Sequence, residues 1–384
     1  MARRVALVFG SRSVEHGVSV VTARTVWEAL RAAGYEALPL YIAQDGAWWL
    51  GRDFLETQSY GHELFTNVDR WARAFAGQAM EVTLLPRPLV GGPRLLTAPG
   101  SRHAETPFDV AFLATHGTNG EDGTLQGLFE LAGVPYTGAD VAASAAGMDK
   151  TLMKRIFAGA GFRQQRAITV TREQWEEDSP SVIARIEAEL CYPLFVKPNG
   201  LGSSKGVNPA PDEDQLFLAM GVAAEVDERI IVEEAVEEPT EINVAVLGYG
   251  EQVQSSLCEQ PPRGEWQDYG KKYLSGGAKL FGSVAGAGRK VPAEIPDALA
   301  EEIRTQAKRA FITLGCAGAA RVDFLIDRDE NIILNEINTI PGALSLELWR
   351  LSGLDPASVV THCVEIAERR HAERGHNNRH MSAI

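Results

Sequence analysis

The chain opens on a short apolar run, Val5-Ala6-Leu7-Val8-Phe9, stopped by Gly10 and Ser11. Such a run predicts a strand buried on both faces. Apolar residues then recur at helical spacing from about Val18 to Ala33. A second strand, ALPLYI, follows near residue 40, and DVAFLAT ends at His116. Strand, helix and strand in alternation predict a parallel sheet with covered faces. Ligands in such sheets sit beyond the carboxyl ends of the strands. Glu15 and His116 both fall just past such ends. Residues 71–105 carry many Gly and Pro with weak periodicity and read as an excursion, a hairpin, on this first domain.

From Met148 the pattern becomes α+β. Asp149 is placed to cap a helix carrying Lys150 and Lys154. The strand YPLFVKP precedes a Gly-rich loop, and ERIIVEEAV is a later strand. INVAVLGYG begins a third region, with a helix from about Pro296 to Leu314 beside it; Leu299, Ile303, Ala307, Ala310 and Phe311 share its apolar face. The expected domains are 1–140, 141–237 and 238–368, with a His/Arg/Asn-rich tail, 369–384, that frays.

Two β-branched runs, RVDFLID and NIILNEIN, flank a turn and predict a hairpin. Alternate residues of a strand share a face. Arg321 and Asp323 therefore point together, as do Glu336 and Asn338. Two carboxylates, a carboxamide and a guanidinium on one patch suit a hard cation such as Mg²⁺, completed by phosphates. The plain alternative is a polar hairpin face with one surface ion pair.

Composition narrows the classes. At 384 residues, with 45% hydrophobic and 23% charged residues, the chain has room for two or three globular domains. A net charge of −14 argues against nucleic-acid binding. No run of about 18 apolar residues predicts a membrane span. The basic start runs straight into a polar turn and reads as a first strand rather than a signal peptide. Cys191, Cys258, Cys316 and Cys363 lack metal or disulfide spacing and read as reduced core residues of a cytoplasmic protein.

Four further segments carry chemistry. In Lys197-Pro198-Asn199-Gly200-Leu201-Gly202-Ser203-Ser204-Lys205-Gly206, small residues let backbone N–H groups approach phosphate oxygens; a plain flexible loop is the alternative. Glu233 ends a strand and Glu241 opens the next, positions from which carboxylates accept from adenine and ribose, or merely line an acidic turn. The turn after His116, GTNGEDGT, leads into a helix whose N-terminus suits an anionic group. Trp266–Gly277, with its aromatic and cationic side chains, reads as a lid.

Together these motifs resemble the D-alanine–D-alanine ligase family of the ATP-grasp superfamily. The match runs in order from Val5 to about Gly342: GSRSVEH, HGTNGEDGTLQG, MDK at 148–150, FVKPNGLGSSKG, VEE, KKYL, ARVDF and NEINTIPG. The resemblance implies an N-terminal Rossmann-like, parallel-sheet domain followed by a two-lobed ATP-grasp fold. It implies ATP as cosubstrate, D-amino acids as substrates and a homodimer. Lys150 and Lys197 would hold the α/β-phosphates, and Gly202, Ser204 and Gly206 would lie in the loop closing over the β/γ-phosphates. Glu233 and the backbone near Val236 would read adenine and Glu241 the ribose. Lys272 would reach the γ-phosphate. Asp323, Glu336 and Asn338 would bind two Mg²⁺, or Mn²⁺ in their place. Glu15 would hold the amino group of the first D-amino acid and link with Ser203 and Tyr273, His116 would sit at the substrate, and Arg321 and the Gly342 N–H would face the oxyanion.

The resemblance breaks after Gly342. The family's serine-bearing turn, which grips the second substrate's carboxylate, is missing by a short deletion, and Ser345 is the substitute at hand. Aligned without a gap, the serine's place falls on Glu347, which repels a carboxylate. Leu201 stands where the family commonly has an acidic residue. Two ligase readings follow: synthesis of D-alanyl-D-alanine for peptidoglycan, or a related ligase with another acceptor amine. A nucleotide-binding regulator without catalysis is the third reading, disfavoured by retention of Arg321, Asp323, Glu336, Asn338 and both lysines.

Overall fold

The computed structural model describes residues 2–51, 55, 79–97, 105–202, 206–262 and 288–376. Ser203, Ser204 and the expected lid with Lys272 and Tyr273 lie outside them. The fold is mixed α/β, with three sheets among the described residues.

The first sheet is built from β1 (Arg4–Gly10), β2 (Glu36–Ile42), β3 (Trp48–Leu50), β4 (Met80–Thr83), β5 (Arg94–Thr97), β6 (Glu105–Pro107) and β7 (Val110–Leu113), in the order β6-β5-β4-β3-β2-β1-β7. Only β1 pairs in parallel, with β2 and β7; the other pairings are antiparallel. The sheet is thus mixed rather than parallel. The reason is chain length: the link 43–47 permits a hairpin but no crossover, whereas α1 (His16–Ala32) supplies the crossover between β1 and β2. The excursion contributes the β4–β5 hairpin. After β7 come α2 (Thr124–Ala132) and α3 (Val141–Met148).

The second unit opens with α4 (Lys150–Gly159), whose N-cap Asp149 accepts from the Leu152 N–H as the sequence predicts. Its sheet contains β8 (Ala167–Thr171), β9 (Leu194–Pro198), β10 (Asn208–Ala210) and β11 (Arg229–Glu234), ordered β10-β9-β11-β8. Helices α5 (Arg172–Glu177), α6 (Ser179–Glu189) and α7 (Glu213–Val226) cover it.

The third sheet is antiparallel, ordered β13-β12-β14-β15, from β12 (Thr240–Tyr249), β13 (Gln252–Ser255), β14 (Ala317–Ile326) and β15 (Ile332–Asn338). Its two faces are divided by residue parity. Ile242, Val244, Val322 and Phe324 pack on Ile303, Ala307 and Phe311 of α8 (Asp297–Leu314). Ala245, Leu247 and Ala319 face Val360, Cys363 and Val364 of the C-terminal helix and join the first sheet's core. Farther along that second face lie Asn243, Arg321, Asp323, Glu336 and Asn338. After β15 the chain makes a tight turn at 342–345, then α9 (Leu346–Leu351) and α10 (Pro356–Gly375).

The structure bears on two expectations. Of the tail expected to fray from Arg369, residues 369–375 continue α10, whose last turns are anchored, and 377–384 lie outside the described residues. Arg370 is 4% exposed, lies with its guanidinium 4.6 Å from the Tyr136 ring centroid, and donates to the carbonyls of Tyr136 and Gly138. Arg374 pairs with Glu130 and Asp140. Among the cysteines, Cys258, Cys316 and Cys363 are buried thiols, but Cys191 is at the surface. No described helix is long and apolar enough to cross a membrane.

Arg370→Ala should therefore lower the free energy of unfolding by about 2 kcal/mol, since it strands two carbonyls and unloads an aromatic face. Urea denaturation of both proteins measures this, and Arg370→Lys should recover little because Lys lacks the planar fork.

Candidate functional site

The predicted hairpin forms with the register that the chemistry needs. Arg321 lies opposite Asn338 and Asp323 opposite Glu336, antiparallel. The register then shifts by one, leaving Asn335 as the extra residue before Phe324 pairs with Leu334. That irregularity lets Glu336 face the cleft while Leu334, two residues earlier, packs in the core, a use bulges often serve near sites. Nε and Nη2 of Arg321 donate to the two Asp323 carboxylate oxygens, each at 2.6 Å. The Asn338 amide donates to the same carboxylate at 3.1 Å. On the other side of Asp323 the paired residue is Asn243. Asn243 is 8% exposed, and its buried side-chain oxygen has no hydrogen-bond donor among the described residues. The sequence reading missed it, although a lone carboxamide inside the apolar run INVAVL was the available signal.

The phosphate-loop lysines are placed by buried polar contacts. Asn199, fully buried, accepts through its side chain from the backbone N–H and hydroxyl of Thr151 and donates to Asp149. It thereby fastens the start of α4 to the loop after β9. Burial pushes the Asp149 carboxyl up, but hydrogen bonds from Leu152 and Asn199 and the Arg229 guanidinium outweigh it and hold it below the usual range. Lys150 Nζ donates to the Leu201 carbonyl within this frame. Lys197 Nζ lies 2.6 Å from one Glu233 oxygen and Lys154 Nζ 3.3 Å from the other. Glu233 is 2% exposed and holds both cations. Its described partners are thus these lysines, whereas the sequence reading gave it adenine. Burial pushes the Glu233 carboxyl up; Lys154 and then Lys197 overcome this and bring it down to about 2. Burial pushes Lys154 below its ordinary value, with Glu233 opposing.

A third group gathers at the first sheet. Glu15 immediately precedes α1, and Glu15, His116 and Glu121 bring one ligand atom each within 4.8 Å of one another, all buried or nearly so. The anionic excess suits an ammonium group. Gly202 approaches Glu15 so closely that a Cβ there would stand 2.5 Å from Glu15 Oε1, so any larger residue would displace that carboxylate. Glu121 accepts from the N–H groups of Gly117 at 2.8 Å and Ile340 at 3.2 Å. Thr22 accepts from the Ala343 N–H at 2.9 Å. In the turn that follows, Ala343, Leu344 and Ser345 all take left-handed φ values of 47, 50 and 52°. Each such non-glycine residue costs about 1–2 kcal/mol, so the turn must be held by its surroundings.

One cleft is lined by Glu15, His116, Glu121, Lys150, Gly202, Arg321, Glu336, Asn338 and Gly342. The predicted site residues from three distant parts of the chain thus converge. Glu241, at the start of β12, is exposed, and Val236 lies in the loop after β11. Ser345 is half-buried and does not line the cleft. Glu347 is exposed and held by two bonds from Arg350, at 2.8 and 2.6 Å. A larger cavity of about 600 Å³ lies beside Tyr136, but its Arg370 and Arg374 are committed to carbonyls and carboxylates.

Replacing Glu233 by Gln leaves Lys154 buried without its counter-ion and should cost about 3–5 kcal/mol of stability. The sign with pH follows from the lowered carboxyl: the contribution is complete above its ordinary value of 4.5 and disappears as pH falls towards 2. Denaturant titrations from pH 7 to 3 should show the gap between wild type and Glu233→Gln narrowing only below about pH 4.5.

Residues 4–139 match the family model described as D-ala D-ala ligase N-terminus, and residues 156–365 match D-ala D-ala ligase C-terminus. A D-alanine–D-alanine ligase of Bacillus velezensis is 35% identical over 371 residues, covering 96% of this chain and 98% of that protein. One of Chlorobium chlorochromatii is 38% identical over 370 residues, covering 94% and 97%. The solved D-alanine–D-alanine ligase from Coxiella burnetii superposes with a TM-score of 0.77 at 27% identity, over 97% of each chain. VanG D-Ala:D-Ser ligase from Enterococcus faecalis also gives 0.77, at 29% identity, over 96% of this chain and all of that one. With both halves matched in order and every cleft residue named above except Lys150 falling within the matched regions, this chain belongs to the D-alanine–D-alanine ligase family.

Proposed function

We infer that this protein is an ATP-dependent ligase that joins two molecules of D-alanine, giving D-alanyl-D-alanine, ADP and phosphate for peptidoglycan synthesis. The observation that carries the reading is the convergence, in one cleft, of the Asp323–Glu336 hairpin face, the Lys150 loop and the Glu15–His116–Glu121 cluster. The fold we assign is a Rossmann-like first unit followed by the two lobes of an ATP-grasp. The family's near full-length D-alanine ligases favour D-alanine as acceptor. The electrostatic objection to a carboxylate at the acceptor side also weakens, because Glu347 is turned outward onto Arg350.

The chemistry follows from charge. A carboxylate is a poor electrophile, so its oxygen takes the γ-phosphoryl group of ATP, releasing ADP and forming an acyl phosphate. Lys150 and Lys197 sit where a polyphosphate would be neutralised, and Glu233 keeps Lys197 in place. Mg²⁺ fits the hairpin face: the carboxylates of Asp323 and Glu336, the Asn338 carboxamide and the buried, donor-free oxygen of Asn243 make an oxygen-rich set suited to a hard cation. Held by these residues, Mg²⁺ would neutralise charge on the transferring phosphoryl group. Glu15, with Glu121 behind it, holds the ammonium group of the first D-alanine. The amine of the second D-alanine then attacks the acyl carbon, and the tetrahedral oxyanion meets Arg321 and the Gly342 N–H. Collapse breaks the C–O bond to phosphate.

Purified protein incubated with ATP, Mg²⁺ and D-alanine alone should release ADP and phosphate in step with D-alanyl-D-alanine identified by mass; ADP without dipeptide would defeat the reading. Arg321→Lys should lower kcat by about 100-fold, since it loses the planar donor pair, while the KM for ATP stays near wild type. Steady-state kinetics in both substrates separates these effects.

A further inference from the structure

Thr22 lies on α1, fully buried and two turns on from Glu15. Its hydroxyl oxygen accepts from the Ala343 N–H at 2.9 Å and stands 2.7 Å from His116 Nε2. The other ring nitrogen of His116, Nδ1, faces Glu121 Oε2 at 3.6 Å. Glu121 in turn accepts from the Ile340 N–H through its other oxygen. The backbone on both sides of Gly342 is therefore held from the first unit: Ile340 by Glu121 and Ala343 by Thr22, the two joined through His116.

The turn needs that hold. Ala343, Leu344 and Ser345 follow one another with left-handed φ, and none of them is glycine. Such a run relaxes unless its surroundings over-determine it. Its described contacts include the Thr22 bond, the Leu344 N–H to the Pro341 carbonyl at 2.8 Å, the Leu346 N–H to the Ala343 carbonyl, and the buried Leu344 side chain. Of these backbone holds, the Thr22 bond reaches Ala343 from an element distant in sequence.

We propose that Thr22 is a positioning residue for ligation: its hydroxyl, set by His116, fixes the Ala343 amide and so aims the Gly342 N–H at the oxyanion. This rests on the reading of the reaction given above, in which Gly342 donates to the tetrahedral intermediate. Thr22 does not line the cleft. Its effect should appear in kcat and leave ATP binding alone.

The test compares Thr22→Val, which keeps shape and removes the hydroxyl, with Thr22→Ser, which keeps the hydroxyl. Thr22→Val should lower kcat for dipeptide formation by about 10- to 100-fold, less than or comparable to the loss of an oxyanion donor itself, with the KM for ATP within about twofold. Thr22→Ser should stay near wild type. Amide hydrogen exchange at residue 343 should quicken in Thr22→Val and not in Thr22→Ser. A Val variant with wild-type kcat, or Val and Ser variants equally slow, would overturn the proposal, the first because the bond does no work in catalysis and the second because the methyl packing matters instead. Failure of the wild type to make dipeptide would sink the reading of the reaction; the exchange rate at residue 343 would still decide whether Thr22 holds the turn.

Discussion

The register of the third sheet is the constraint on which the remaining chemistry depends. Strand parity puts Asp323, Glu336 and Asn243 in one row and Arg321 beside Asn338 in the next. Nothing in those polar groups would by itself keep them there. What keeps them is the opposite face, where Val244, Val322 and Phe324 are fully buried against α8. Each such side chain contributes about 1.5–3 kcal/mol by leaving water. A slip of one residue would turn all of them outward and every ligand inward. The core therefore fixes the site more firmly than any bond within the site does.

Burial performs a second service at the lysines. Glu233 and Lys154 are removed from water almost completely, which is costly unless the charges are paired and hydrogen-bonded. Here two cations share one carboxylate, so excess positive charge remains beside the loop after β9. That excess has a use once a polyphosphate arrives. Asn199 supplies the geometry, since it satisfies the first turn of α4 and thereby ties Lys150 to the same loop. The first unit adds a third service: Thr22 and Glu121 reach across to the turn around Gly342, making the cleft a joint product of first and last sheets.

Much of this was readable in the chain. Period-two alternation in RVDFLID and NIILNEIN gave the hairpin, and the shared face of Asp323 and Glu336 followed. Asp149 announced its cap. The groups that escaped are those whose partners lie far away in sequence. Thr22 looks like one more helix residue until Ala343 comes to lie against it. Asn199 passes for a loop residue, and Asn243 for a flaw in an apolar strand. The ion pairs of Glu233 with Lys154 and Lys197 went unread because those lysines are invisible to local pattern. That residues 369–375 continue α10 was hidden for a similar reason, since the carbonyls of Tyr136 and Gly138 that Arg370 satisfies belong to the first unit. Glu347 seemed a repulsive neighbour only because its i+3 partner, Arg350, was not weighed.

The central claim is that this cleft activates a carboxylate by phosphoryl transfer before an amine attacks. D-alanine labelled with ¹⁸O in both carboxylate oxygens tests it most directly. If an acyl phosphate forms and is displaced at carbon, each phosphate released with a dipeptide carries one labelled oxygen, read by mass spectrometry. Unlabelled phosphate accompanying dipeptide would mean that the carboxylate never takes the phosphoryl group, and the account would be wrong at its centre.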